Sequence, residues 1–135
     1  MCSLVLIGES RAEKLLSGYP IVKARDYAAV DSENAVVILG KNARCKINSA
    51  LSVIVDGDEP FDSLPRDVQL ISCGVSPKNT VSITSRTPEK LTLSLNRSIR
   101  TASGICEPLE LPVKALESVS EYDIMAAFAA NLLLK

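Results

Sequence analysis

Histidine and tryptophan are absent from this chain of 135 residues, and aromatic side chains of any kind make up only 4% of it. Without histidine there is no imidazole for proton transfer near neutral pH, and no His-containing zinc site. So few aromatics give no platform on which nucleic-acid bases stack. A surplus of either charge is missing too: 15 basic side chains face 16 acidic ones, a net charge of −1. That balance leaves nothing to neutralise phosphates, so no nucleic-acid partner is expected. No apolar run approaches the roughly 20 residues that cross a bilayer, so no membrane association is expected either. The start, "MCSLVLIGES", has no charged leader before its short apolar run, which predicts a cytoplasmic address. Cys2, Cys45, Cys73 and Cys106 lie far apart with no C-x-x-C pair. Such spacing suits reduced thiols, not the close-spaced ligand pairs of structural zinc.

What is present is ordinary for a globular protein: 47% hydrophobic and 23% charged residues, in a length that predicts one domain over 1–135. "LVLIG" (4–8), "AVVILG" (35–40), "SVIVDG" (52–57) and "VQLISCG" (68–74) are β-branched-rich runs, each closed by glycine. Apolar throughout, they predict strands covered on both faces, as in a parallel sheet. After the first, Ser10 and Glu13 form a capping-box pattern that predicts a short helix ended by Gly18 and Pro20. "YPIVKA" (19–24) predicts a further strand. The connectors 41–49 and 58–66 hold no more than a clipped helix, because a parallel crossover needs about a dozen residues. From Thr80 onward the pattern alternates. "TVSITS" (80–85) and "KLTLSLN" (90–96) predict a hairpin turning at residues 86–89, and "LELPV" (109–113), with Pro108 and Pro112, predicts an edge strand. Ser120 caps a predicted helix over 121–134 with Ile124, Ala127, Phe128 and Leu132 on one face. The expected fold is α/β: a small, mostly parallel sheet with short helices, extended by an antiparallel β segment and a C-terminal helix.

"LVLIGESRAEK" (4–14) has the outline of a phosphate-binding turn but not its parts. One glycine stands where several are needed, Lys14 has no neighbouring Ser/Thr, and Glu9 repels an anion. The sharper candidate is "IVDGDEP" (54–60), where Asp56, Asp58 and Glu59 crowd a predicted strand end, the edge at which open sheets bind ligands. Hard oxygens at that spacing suit a loosely held magnesium or calcium ion, whereas Asp-Gly and Glu-Pro are also plain turn chemistry. Lys41 and Lys78 follow comparable strand ends and complete the candidate ligand-binding set. Cys73 lacks a histidine base and reads as a buried small hydrophobe. Arg86, Arg97, Arg100, Lys78 and Lys90 surround the hairpin and read as edge-protecting charge.

From Leu51 the order of pieces is similar to the latter half of the central domain of the Mur ligases, which form amides at the expense of ATP in peptidoglycan synthesis. The likeness spans 51–134: "LSVIVDGDEP", then "LPRDVQLISCGVSPKNTVSITS", then alternating strands, then "SEYDIMAAFAANLLL". Aligning "AFAA" (127–130) with the family's Ala-x-Ala-Ala puts Tyr122, Asp123 and Ala126 where His, Asn and a nucleotide-contacting Asn stand. Asp56 replaces the Asn of the family's strand-end turn, and the ATP loop has no counterpart near Gly8. The resemblance therefore implies a bacterial, non-catalytic domain that binds a partner or small ligand in cell-envelope metabolism, with no cofactor and no catalytic residues. Two other readings stand beside it. One is a small enzyme using the acidic loops with Lys41 or Lys78. The other is a structural module, in which the leucines of 132–134 cover the sheet or pair with a protein partner or a second copy in a homo-oligomer.

Overall fold

In a computed structural model, which describes residues 2–16, 18–59, 65 and 67–135, the apolar runs become adjacent strands. β1 (Ser3–Ile7), β4 (Ala35–Leu39), β6 (Ser52–Asp56) and β7 (Gln69–Cys73) lie side by side and parallel, with β2 (Ile21–Ala24) flanking β1. β8 (Val81–Arg86) starts where β7 stops and meets it at Cys73 and Val81. β9 (Lys90–Leu95) and β12 (Leu109–Lys114) then add antiparallel strands, giving an eight-stranded mixed sheet in the order β12-β9-β8-β7-β6-β4-β1-β2. β10 (Ile99–Thr101) and β11 (Gly104–Cys106) form a small hairpin. β3 (Tyr27–Asp31) and β5 (Arg44–Ser49) form a separate parallel pair.

Successive strand residues point to opposite faces, and the two faces find different covers. Leu4, Leu6, Val36, Ile38, Ile54 and Ile71 pack against α1 (Glu121–Leu134). Ile7, Val37, Leu39, Val53 and Val55 pack against Val30 of β3 and Ile47 of β5. Each fully buried Leu, Ile or Val of this kind contributes roughly 1.5–3 kcal/mol. The strands are apolar throughout because both faces are buried, but one of the covers is itself made of strands.

That overturns the expected α/β class with short helices. Twelve strands, one α-helix and a single 3-10 turn at Ala12–Leu15 make up the regular structure of the described residues. The step from β4 to β6 passes through β5, so the chain coils as strand, strand, strand, in the manner of a β-solenoid. The twelve residues 40–51 are at the lower limit for a crossover helix with its two turns, and ample for a strand on the far face. Cys45 and Ile47 alternate with exposed Arg44, Lys46 and Asn48, the period of a half-buried strand. The connector 58–66 lies largely outside the described residues.

Ser10 does not cap a helix with Glu13. Its hydroxyl accepts from the Ala12 N–H at 3.1 Å and donates to Asp123 Oδ1 at 2.6 Å, while Glu13 pairs with Lys23 at 2.7 Å. α1 begins as expected, with Ser120 Oγ accepting from the Asp123 N–H at 3.1 Å. Its burial is not one-sided: every residue from Asp123 to Ala130 is buried, because the sheet, the 3-10 turn and β10 enclose it. Leu133 is fully buried, and Leu132 and Leu134 pack on the same core. Among the described residues no helix is long and apolar enough to cross a membrane.

Candidate functional site

The C-terminal ends of β1, β2, β4 and β6 open into a crevice of about 1560 Å³, walled on one side by Ser118, Ser120, Tyr122 and Asp123 at the start of α1. Parallel strands place all their C-terminal turns on one edge of a sheet, which is why residues distant in sequence gather there. Lys41, Asp56 and Glu59 line this crevice. Asp58 and Lys78 are not among its lining residues. Asp58 instead donates its N–H to Asp56 Oδ1 at 2.9 Å, and its carboxylate sits beside Gly74. Lys78 belongs to the β7–β8 loop, where its carbonyl accepts from the Arg97 guanidinium at 2.7 Å. β8 extends beyond the end of β7 instead of returning alongside it, and this carries Lys78 away from the other strand ends. No group of three carboxylate or thiol side chains gathers to hold a metal ion among the described residues.

The floor is tied by backbone. The Glu9 N–H donates to the Lys41 carbonyl and the Lys41 N–H to the Glu9 carbonyl, both at 2.9 Å. Gly8 donates to the Ala24 carbonyl at 3.0 Å, and its φ of +85 brings it so near residue 43 that a Cβ would lie 2.8 Å from the Ala43 methyl. Such a conformation suits glycine alone. The Arg11 N–H donates to Asp123 Oδ2 at 3.2 Å. The amides of Gly8, Glu9, Arg11 and Ala12 are therefore all engaged within the protein. A phosphate cradle needs such donors to converge on open space, and these do not.

Tyr122 joins helix to sheet. Its phenol donates to the Leu39 carbonyl at 2.6 Å, with the Ile54 carbonyl at 3.3 Å. Burial pushes its pKa well above the ordinary tyrosine value, helped by Cys73, Asp56 and Asp123 nearby. Burial likewise pushes the Cys73 thiol far up, with Asp56 adding to the effect. Both stay protonated at neutral pH, so neither supplies an anionic nucleophile. Tyr122, Asp123, Ser10 and Arg11 were not among the sequence-based site residues. The available signal was the polar cluster at the head of an otherwise apolar helix.

Both charges line the crevice. Lys23, Arg25 and Asp26 stand at the β2 end, Glu9 and Lys41 where β1 and β4 end, and Asp56 and Glu59 at the β6 end. Lys23 pairs with Glu13 and Arg44 approaches Asp26 at 3.8 Å, but no ion pair joins Lys41 to Asp56 or Glu59 among the described residues. The fold and site thus define a three-layer, strand-rich domain with an open, bipolar crevice at one sheet edge. No family model, curated protein or solved structure matches the chain.

Proposed function

We propose that this protein is a non-catalytic binding module whose crevice captures a small ligand carrying both charges, such as an amino acid or short peptide. The observation that carries this reading is the separation of Lys41 from Asp56. Neighbouring parallel strands lie about 4.8 Å apart, yet the two opposite charges at the ends of β4 and β6 do not pair. Lys41 is held by its backbone exchange with Glu9, and Asp56 by the Asp58 N–H. A ligand with an ammonium and a carboxylate group satisfies both.

The lack of histidine and the protonated state of Cys73 and Tyr122 support binding over catalysis. The Mur-ligase-like order of segments from Leu51 onward supports a role in bacterial cell-envelope metabolism, while Tyr122 and Asp123, which replace that family's His and Asn beside the crevice, fit a domain that binds without catalysing. A cytoplasmic address belongs to the same reading, since the wide spacing of the four cysteines, with no C-x-x-C pair, suits a reducing compartment.

The test is an amide chemical-shift titration with amino acids and dipeptides, using acetate and ethylammonium as single-charge controls. Saturable shifts at residues 40–42 and 56–59 are expected with the zwitterions. Lys41→Ala and Asp56→Asn are each expected to weaken that binding by about tenfold, close to 1.4 kcal/mol. Binding that survives both substitutions, or no saturable response to any zwitterion, contradicts the reading.

A further inference from the structure

Away from the crevice, the second layer has an open flank. β3 pairs with β5 and with no other strand among the described residues. In a parallel ladder, alternate residues turn both backbone groups toward one neighbour. The Arg44 N–H donates to the Asp26 carbonyl at 2.7 Å, and the Ser32 N–H to the Ser49 carbonyl at 3.2 Å. The even-numbered residues of this stretch therefore bond to β5. The N–H and C=O groups of Tyr27, Ala29 and Asp31 point the other way, to the open edge.

Along 27–30 that edge is unguarded, reading Tyr-Ala-Ala-Val with no charge and no proline, before Asp31 and a register shift between Val30 and Asp31 close the strand. The outer strands of the large sheet are blunted in the usual ways: β2 carries Lys23 after Pro20, and β12 carries Glu110, Pro112 and Lys114. An exposed strand edge without such devices is a template for another strand.

We propose that β3 pairs antiparallel with β3 of a second copy of this chain, about a two-fold axis at Ala29. In that register Tyr27 lies opposite Asp31 of the second copy, and Ala29 opposite its own counterpart. These are the residues whose backbone groups face outward, so each pair exchanges both hydrogen bonds. A shift by one residue sets outward groups against inward ones, and a shift by two loses a pair, so the register is self-selecting. The side chains of Tyr27, Ala29 and Asp31 are all exposed and share a face. Two small Ala29 methyls at the axis let the strands close. Asp31 accepts from Ser49 Oγ at 2.8 Å through Oδ1, which ties its carboxylate back to β5 and away from the new ladder.

Sedimentation equilibrium of the full chain tests this, with a monomer–dimer equilibrium expected at roughly micromolar to high-micromolar concentration. Ala29→Pro removes an outward N–H without touching the β3–β5 ladder and is expected to weaken the dimer by at least about tenfold. Ala29→Lys, which sets like charges face to face across the axis, gives the same readout should proline disturb the fold. Lys114→Ala, on the far edge strand of the large sheet, leaves association unchanged. A parent protein that stays monomeric throughout overturns the proposal, as does a dimer undiminished in both Ala29 variants.

Discussion

The carboxylate of Asp123 accepts from the Ser10 hydroxyl and the Arg11 N–H, joining the first turn of α1 to the turn after β1. It is 7% exposed, and removing it leaves the part-buried donors of Ser10 and Arg11 without their acceptor. Asp123→Ala is expected to cost about 2–3 kcal/mol in urea denaturation. Asp123→Asn costs less, because its amide oxygen still accepts one of the bonds. The Cys73 thiol makes a different prediction. Its pKa is raised in the folded state, so the folded protein holds its proton more tightly than the unfolded chain. Stability is then at its full value below about pH 8.5, where an unfolded thiol begins to ionise, and falls as pH rises further. Tyr122, also raised, deepens the fall at higher pH. Melting temperature measured from pH 7 to 10 in the parent and in Cys73→Ala checks this, with a flatter alkaline limb expected in the variant.

At the scale of elements, caps and periods explain what was legible. Ser120 was readable as an N-cap because a hydroxyl three residues before Asp123 suits the first turn, and Ser120→Ala is expected to cost about 1 kcal/mol. Arg86 reaches Glu121 with a bidentate contact at 2.8 and 3.0 Å, which holds the Glu121 carboxyl below its ordinary range. That contribution is present above the ordinary carboxylate pKa and is lost as pH falls through the depressed one. Since both side chains are nearly half exposed, solvent screens much of it. A double-mutant cycle at pH 7 and pH 3 measures it. Double-faced burial was readable for β4 and β6, because an uninterrupted Val/Ile run fits no half-wet strand. The nature of the cover was not. Prior expectation fills a parallel crossover with a helix, and only the Cys45/Ile47 alternation, two residues of signal, argued for a strand. The one-sided face expected for α1 failed for a related reason. A helix apolar on all sides implies several neighbours, and neither the 3-10 turn nor β10 is visible from the helix's own sequence.

For the whole molecule, strand order decides which candidate site residues meet. Lys41, Asp56 and Glu59 converge because β4 and β6 are adjacent and parallel, whereas Lys78 departs with β8. Spacing along the chain carries no record of that order, so the five candidates looked equivalent in sequence. The same topology makes α1 indispensable, since it covers one entire face of the parallel strands. A chain cut after Val119 is expected to lose its cooperative thermal transition and to bind a hydrophobic dye.

The helix that shields this face follows, in chain order, every strand it shields. During synthesis, therefore, the sheet's apolar surface emerges with no lid, and Ser10 waits for a carboxylate made more than a hundred residues later. A nascent chain of this topology stays sticky until the turns of α1 clear the ribosome, the kind of transiently exposed surface that makes chains prone to aggregate before they finish folding.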